Sequence, residues 1–304
     1  MPELISHRGA DIPELAAAVA AAEQRIADAG PEYGPRAQLL ADLELWQQCD
    51  LGRWMLVHHG WNAYWTRYCI GYDRTDDAIT NEVERFFLTA SPAVAATRER
   101  WAIMSELAAQ LLTPGSVGMS VPCGLMDDLV LLPGAPAAKA LVGLDLDAEA
   151  VGQAIDNAAA HGLTNTVFAV GDAWQPSLAR VTAGVPELYA EAAAGGVDLL
   201  MSNGLNIYVA DDEDVLALYR AFRGLVRPGG TLVVSALTTP AEWDLAHVPL
   251  EVSRRSLGLA LINDVQWANY RPVATTVAQL AAAGFEVLDI RHDSGRVFPT
   301  FVAR

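Results

Sequence analysis

Apolar residues in the first third of the chain recur at helical spacing. In the first such segment they lie three or four positions apart, at Leu15, Val19, Ala22 and Ile26. This spacing places their side chains on one face of a helix. A second stripe covers 39–46, and further helices are expected over 76–87 and 93–112. The pattern predicts an all-helical region from residue 1 to about residue 105.

From residue 117 onward, short apolar runs alternate with segments of helical pattern. The runs are Val117–Val121, Ala140–Leu144, Thr166–Val170, Val197–Met201 and Thr231–Ser235. Helices between successive strands, as over 148–161 and 211–225, are typical of a parallel sheet with right-handed crossovers. The segment 176–194 is predicted to be mostly helical.

The end of the chain departs from this alternation. A helix is expected at Thr276, because Thr276 and Gln279 have the spacing of a capping box. Phe285–Arg291 and Val297–Val302 then have strand patterns, with a short turn at 293–295 between them. Two adjacent strands joined by so short a turn must be antiparallel.

The stretch 116–147 is the most informative part of the chain. A buried strand leads into the turn Pro122–Gly124, a helix begins at Asp127, and a second strand ends at Asp145. Gly124 and Asp145 lie 21 positions apart, close to the roughly 20 of nucleoside-binding α/β folds. In such folds the turn brings backbone N–H groups to the ligand, and the acid accepts hydrogen bonds from the ribose hydroxyls.

From about Glu106 to its end, the chain resembles class I S-adenosylmethionine-dependent methyltransferases. The first motif of that family is acid-x-Gly-x-Gly-x-Gly, and Ser120, Pro122, Gly124 and Met126 occupy its four defined positions. Only the middle glycine is retained. The acid that helps to hold the methionine amino group is replaced by Ser120, and Pro122 has no N–H to donate.

The resemblance implies an α/β fold with a Rossmann-like seven-stranded sheet, parallel except for a C-terminal antiparallel hairpin. A helical N-terminal domain over 1–105 would cover the active site or form a homodimer interface. The S-adenosylmethionine-binding domain would then cover 106–304, with a helical lid inserted at 237–272. The terminal hairpin fits this family better than a six-stranded nicotinamide-binding sheet.

Asp145 is the predicted ribose ligand. The alternative is that Asp145 caps the following helix, but Asp147 can perform that role instead. Leu146 is expected either against one face of the adenine or in the core. After the third strand come Gly171, Asp172, Ala173 and Trp174. The resemblance implies that Asp172 accepts from the adenine amino group, that the Ala173 N–H bonds the ring and that Trp174 covers it. The alternative is a simple Gly-Asp turn.

Ser202, Asn203 and Gly204 follow the fourth parallel strand, where ligands of open α/β sheets bind. We expect them to contact cofactor or substrate, although Asn203–Gly204 is also a common turn. Tyr208 is expected to face the substrate. The segment lacks the Asn/Asp-Pro-Pro-aromatic pattern of amino-methylating DNA enzymes, which weakens the case for base methylation.

The helical region contains an aromatic segment at 58–67. One hypothesis places Tyr64 or Arg67 on the cofactor carboxylate, where an arginine would compensate for the missing acid. The other hypothesis, slightly favoured, is an aromatic packing cluster between domains.

Two further side chains have a chemical and a structural interpretation. Cys123 lies in the turn, where a helix N-terminus lowers a thiol pKa, but a small buried residue that lets the backbone approach the cofactor is the main expectation. His247 in the lid is a candidate proton acceptor, whereas a surface histidine is the commoner case.

Composition excludes several classes of protein. The net charge of −17 disfavours nucleic acids and anionic membranes as partners. The three cysteines form no disulfide or zinc pattern, and no metal is assigned. The absence of a signal pattern and of an apolar run of the roughly 18 residues that a span needs indicates a soluble cytoplasmic protein.

The sequence therefore predicts methyl transfer from S-adenosylmethionine to a small molecule, in specialised metabolism. The alternatives are a non-methylating S-adenosylmethionine enzyme that catalyses a rearrangement, cyclisation or decarboxylation, a cofactor-free binding protein, and a nicotinamide oxidoreductase.

Overall fold

A computed structural model describes residues 12–72, 79–265 and 269–304. These residues form two compact units, one over 12–98 with 244–265 and one over 99–243 with 269–304. The first unit is helical and the second contains the sheet. The sequence-based division differs in placing the boundary at 105 and the whole of 237–272 with the sheet.

The helices and strands follow one another along the chain in this order: α1 Ile12–Asp28, α2 Arg36–Trp46, α3 Asp50–His58, α4 Ala63–Gly71, α5 Glu82–Ala90, α6 Pro92–Leu111, β1 Val117–Ser120, α7 Asp127–Val130, β2 Ala140–Asp145, α8 Ala148–Ala160, β3 Thr166–Val170, β4 Arg180–Ala183, α9 Pro186–Glu191, β5 Val197–Asn203, α10 Asp212–Leu225, β6 Val226–Ser235, α11 Leu250–Asn263, α12 Val273–Ala282, β7 Val287–Arg291 and β8 Thr300–Ala303.

The helical unit has its own apolar core, to which α11 contributes. Leu259 and Ile262 of α11 are buried with residues of α1 to α3 and α5. The Trp46 indole N–H donates to the Asn263 side chain at 2.8 Å, and the Arg255 guanidinium pairs with the buried Asp42 at 2.8 Å. These contacts explain why α11 groups with the N-terminal helices although it is far from them in sequence.

The sheet has the strand order β4-β3-β2-β1-β5-β6-β8-β7. The five central strands, β3, β2, β1, β5 and β6, are parallel, and β8 is antiparallel to both β6 and β7. The predicted parallel sheet with a C-terminal antiparallel hairpin is therefore confirmed. Chain order reverses between β1 and β5, and open α/β sheets bind ligands in the crevice at such a point.

The structure adds an eighth strand that the sequence did not predict. Within the segment expected to be mostly helical, β4 pairs antiparallel with β3. Its side chains are exposed or half-buried, so β4 lacks the apolar signature of the buried strands. Gly184 follows it at φ +87°, where a Cβ would stand 2.3 Å from the Thr166 carbonyl oxygen. The turn out of this edge strand therefore requires glycine.

The start of the last helix also differs from the prediction. Helix α12 begins at Val273, directly after Pro272. Thr276 is therefore inside the helix, with 1% of its surface exposed, and it does not cap the N-terminus. Pro272 occupies the N-cap position. Proline is tolerated at a helix start because backbone N–H groups there have no acceptor within the helix, so the helix begins before the capping-box pattern.

Two apolar layers cover the sheet. One contains Tyr219 and Phe222 of α10 and Leu280 of α12. The other contains Met104 and Leu107 of α6 together with Leu129 of α7. Helices α6 and α7 consequently pack on the same face of the sheet.

Candidate functional site

The turn after β1 is fixed by backbone hydrogen bonds to both neighbouring strands. The Val121 N–H donates to the Met201 carbonyl of β5, and the Cys123 N–H donates to the Leu144 carbonyl of β2, each at 2.9 Å. Between them, the Val121–Pro122 peptide bond is cis. Gly124 adopts φ +50°, a conformation that glycine populates without steric penalty. The retained glycine thus lies where the backbone needs it.

Asp145 joins the end of β2 to this turn. One carboxylate oxygen accepts from the Gly124 N–H at 2.9 Å, and the other accepts from the Asp147 N–H at 3.0 Å. Burial raises the pKa of this carboxyl, and the N–H groups of Asp147, Gly124 and Leu146 oppose that rise. A carboxylate has about four acceptor positions, so each oxygen can still accept a hydrogen bond from a ligand hydroxyl.

The two residues after Asp145 have separate roles. The Asp147 side chain caps α8 by accepting from the Glu149 N–H at 2.9 Å, so Asp145 is not needed as the cap. Leu146 is 44% exposed and is not an ordinary core residue. Its apolar side chain is available to a flat ligand bound beside Asp145.

The turn after β3 lies next to Asp145. The Gly171 N–H donates to the Asp145 carbonyl at 2.9 Å. One Asp172 carboxylate oxygen accepts from the Trp174 N–H at 2.9 Å, and the Ala173 N–H makes no hydrogen bond within the described residues. The Trp174 indole N–H donates to the Asp214 carbonyl of α10 at 2.9 Å. Asp172 keeps a second oxygen, and the Ala173 N–H remains available to a ligand.

The turn after β5 contains the next predicted residues. Ser202 is 1% exposed, and its hydroxyl has no hydrogen-bond partner within the described part of the chain. The Asn203 side-chain oxygen accepts from the Ser235 hydroxyl at 3.2 Å. Gly204 has φ +81° and turns the chain away from the sheet.

The loop 205–210 is held by an arginine that the sequence analysis did not single out. Arg271 donates to the Val209 carbonyl at 2.7 Å and to the Asn206 carbonyl at 3.2 Å, and it pairs with Asp212 at 2.6 Å. Tyr208, in this loop, has a pKa raised by burial, which Arg100 opposes. Its hydroxyl is consequently protonated near neutral pH and can donate a hydrogen bond.

Arg100, on α6, is a second residue that sequence reasoning missed. It is 6% exposed, and its Nε and Nη1 atoms have no hydrogen-bond partner within the described residues. Its guanidinium lies 4.3 Å from the Phe298 ring centre, and a Cβ at Gly204 would stand 3.0 Å from Nη1. Because a charged residue within the run Arg98-Glu99-Arg100 of a helical pattern gives no motif signal, only the tertiary structure reveals it.

The replacement of the motif acid by Ser120 has a structural counterpart. The Ser120 hydroxyl donates to a carboxylate oxygen of Asp128 at 2.8 Å, so a carboxylate still lies at the end of β1. Burial raises the pKa of Asp128 to about 7. Asp128 is a third residue that the sequence analysis did not single out.

Cys123 is a buried residue with little nucleophilic character. It is 5% exposed, and burial raises the pKa of its thiol well above the ordinary value, with the charges of Asp145 and Asp128 adding to the rise. The neutral thiol is therefore the form at physiological pH, which supports the structural interpretation of this residue.

The remaining predicted residues lie in the helical unit. Tyr64 and Arg67 are on α4, where the Tyr64 ring meets Trp65 edge-on with ring centres 5.0 Å apart. His247 is exposed and precedes α11, whose N-cap is Pro249. The roles predicted for these three residues at the cofactor or the acceptor remain predictions.

No three His, Cys, Asp or Glu side chains converge as a metal site within the described ranges. None of the helices in those ranges combines the length and the apolar character needed to cross a membrane.

Comparison with known proteins gives a strong similarity over the full length of the chain. A possible exported protein from Bordetella parapertussis is 35% identical, with a TM-score of 0.85, over 100% of this chain and 99% of that chain. No protein-family model and no curated protein matches the sequence.

Two more distant solved structures share the fold. Magnesium protoporphyrin IX methyltransferase from Synechocystis, solved with bound SAH, is 18% identical with a TM-score of 0.51, over 78% of this chain and 94% of that chain. A proposed O-methyltransferase from Nostoc punctiforme is 15% identical with a TM-score of 0.50, over 87% and 71% of the two chains.

Proposed function

Because this chain belongs to the same family as the Bordetella protein and has the class I S-adenosylmethionine-dependent methyltransferase fold, we propose that it transfers a methyl group from S-adenosylmethionine to a small molecule. When bound, the cofactor would supply an activated methyl group on its sulfonium. The protein's contribution is to bind, orient and exclude water.

One observation carries the proposal. The Asp145 carboxylate lies at the tip of β2 and accepts from the Gly124 N–H at 2.9 Å, so the acid and the turn form one rigid unit. A separate residue, Asp147, caps α8. Asp145 therefore keeps acceptor capacity for the two ribose hydroxyls of the cofactor.

The nucleoside base fits the neighbouring groups. Leu146 offers an exposed apolar side chain for one face of the adenine. The free oxygen of Asp172 is an acceptor for the adenine amino group, and the Ala173 N–H is a donor for a ring nitrogen. Trp174 is anchored to α10 through its indole N–H, which fixes its ring at the edge of this site.

The acceptor side is assigned to the carboxyl end of β5. Ser202, Asn203 and Gly204 lie there, and the loop that follows is held by Arg271. With its pKa raised by burial, Tyr208 acts as a hydrogen-bond donor that orients the acceptor, and not as a base. His247 remains the proposed proton acceptor for substrates that need one.

The net charge and the free cysteines support the class of acceptor and the cellular location that we propose. The net charge of −17 favours a small molecule over a nucleic acid as acceptor. Cys49, Cys69 and Cys123 are all free thiols, as is usual in reducing compartments, so we propose a cytoplasmic location and a role in specialised metabolism. Cell fractionation tests the location, since the Bordetella relative is described as a possible exported protein.

A thermal-shift experiment tests the cofactor assignment. S-adenosylmethionine at a hundredfold excess over its Kd is expected to stabilise the protein by about 2.7 kcal/mol, and NAD is expected to have no effect. Asp145→Ala should abolish the shift, and Asp145→Asn serves as the isosteric variant. Asp147→Ala is the matched control, because it removes a neighbouring acid whose side chain caps α8, and this variant should retain the shift.

The outcomes separate the competing functions. No shift with S-adenosylmethionine would refute the proposal, and a full shift with Asp145→Asn would refute the ribose assignment. Transfer of a labelled methyl group from the cofactor into a small-molecule extract would distinguish methyl transfer from a rearrangement, cyclisation or decarboxylation that leaves the label on the cofactor.

A further inference from the structure

The end of β1 carries a carboxylate that comes from a different element. Position 120 is a serine, and its hydroxyl donates to Asp128 at 2.8 Å. Two residues with positive φ, Gly124 at +50° and Met126 at +57°, turn the chain so that Asp128, near the start of α7, comes back to the strand end. The carboxylate at the end of β1 therefore belongs to a residue eight positions further along the chain than Ser120.

This carboxylate has no counter-charge of its own. Asp128 makes no ion pair with a cationic side chain within the described residues. Desolvation is the largest cause of its raised pKa, and the neighbouring Asp127 raises it further. A partly buried carboxylate without a cation is unfavourable unless a ligand supplies the positive charge.

A cation in the complementary situation lies on the same face of the sheet. Arg100 is 6% exposed, with two guanidinium nitrogens that have no partner in the part of the chain that the structure describes. The nearby charge of Asp293 favours the charged form of Arg100, but the Asp293 carboxylate accepts from the Val297 and Phe298 N–H groups. Arg100 forms no ion pair with a carboxylate within the described residues.

The fold brings these two groups to one edge. Residues of α6 and α7 belong to the same apolar layer. Leu112, the residue after the end of α6, would be 3.0 Å from a Cβ at Gly118 of β1. Arg100, nearer the start of α6, lies beside Gly204, directly after β5. Because α6 is antiparallel to β1, Arg100 is at the carboxyl edge of the sheet, the edge to which Ser120 and Asp128 also belong.

We propose that Asp128 and Arg100 bind the amino-acid end of the cofactor, with Asp128 receiving the ammonium group and Arg100 the carboxylate. This inference rests on the proposed function and specifies its ligand contacts. Ser120 acts as a positioning residue, because it holds the Asp128 carboxylate at the place of the missing acid. The two opposite charges, neither of which forms an ion pair with a side chain of the described residues, match the zwitterion of an α-amino acid.

Titration calorimetry with truncated ligands tests this assignment. The probes are S-adenosylmethionine, which has both charges, its decarboxylated form, which keeps the amine alone, and methylthioadenosine, which has neither. A hydrogen-bonded charge pair corresponds to about 10- to 100-fold in affinity. Asp128→Asn should weaken the first two ligands by this factor, and Arg100→Gln should weaken only S-adenosylmethionine.

Methylthioadenosine should bind the wild type and both variants with the same affinity, which also demonstrates that the variants are folded. Asp127→Asn is the matched control, since the Asp127 side chain is held by Asn157 at 2.9 Å, and it should change the affinity for S-adenosylmethionine less than threefold. Arg100→Lys keeps the charge and is the conservative variant if Arg100→Gln does not fold.

The results distinguish this inference from the proposed function. If the wild type binds none of the three ligands, the proposed function fails. If it binds them but Asp128→Asn has unchanged affinity for S-adenosylmethionine, the inference fails and the function stands. Equal losses for S-adenosylmethionine and methylthioadenosine would also overturn the inference, because the variant would then have disturbed the whole site.

Discussion

At the ends of β2 and β3, the groups proposed to meet the nucleoside follow their strands directly along the chain. At the ends of β1 and β5, the charged groups come from helices, with Asp128 on α7 and Arg100 on α6. The first region keeps the motif pattern of the methyltransferases that the sequence resembles, and the second departs from it at Ser120 and Pro122. A ribose ligand has to sit at a strand tip, whereas a charge can be supplied from any element that reaches the ligand.

The largest expected difference between these two regions is in the pH dependence of cofactor affinity. The pKa of Asp128 is raised to about 7, and an ammonium favours the ionised carboxylate. The affinity for S-adenosylmethionine should therefore fall as the pH is lowered through 7, by up to about tenfold per pH unit. Calorimetry between pH 5.5 and 8.5 measures this slope.

The affinity for methylthioadenosine, which has neither the ammonium nor the carboxylate group, should show no such dependence on pH. The groups that act on Asp128 are Ser120 of β1, Asp127 of α7 and the backbone N–H groups of Asp128 and Leu129. The buried Cys123 thiol, on which Asp128 acts, stays neutral over this range. A slope that persists in Asp128→Asn would assign the titration to another group and contradict the model of the amino-acid end.

The nucleoside side is expected to respond to the loss of apolar contact. Leu146→Ala removes the exposed side chain proposed to cover one face of the adenine, and about 1 kcal/mol of binding free energy, or about fivefold in affinity, should be lost. The loss should be equal for S-adenosylmethionine and methylthioadenosine. An equally exposed leucine away from the site, Leu288 at 49%, gives the control variant Leu288→Ala, which should not change either affinity.

The smallest expected effect concerns stability without ligand. The folded-state pKa of Asp128 lies above its unfolded value, so the native protein binds the proton more tightly, and stability is lost as the pH rises from about 4 through 7. Asp128→Asn removes this loss and should raise the free energy of unfolding at pH 8 by about 0.5–1 kcal/mol, with little change at pH 4.5. Urea unfolding at both pH values measures the difference.

A destabilised variant at pH 8 would mean that the ionised carboxylate is well compensated in the free protein. That result would contradict the argument that the Asp128 carboxylate needs a positive charge from a ligand. A variant that is more stable but binds the cofactor less tightly would instead show the usual trade-off between stability and a functional charge.

Most of the fold could be predicted from hydrophobic periodicity and turn residues. The parallel strands are nearly continuous apolar runs, and the short turn between β7 and β8 requires these two strands to be antiparallel. The exception, β4, is an edge strand with exposed side chains, so its pairing depends on backbone hydrogen bonds to β3 that leave no apolar pattern. Similarly, the capping-box pattern at Thr276 could not show that Pro272 already starts the helix.

The amino-acid sequence by itself determined the parallel strands, their antiparallel ending, and the positions of Gly124 and Asp145, because apolar strand runs, glycine conformation and strand-tip spacing are local properties of the chain. Only the tertiary structure decided that Asp128 returns to Ser120, that Arg100 reaches Gly204 and that Arg271 holds the loop after β5. These contacts join residues that are far apart in sequence or carried on different elements, and their energies depend on burial and on the presence or absence of a counter-charge, which no local pattern encodes.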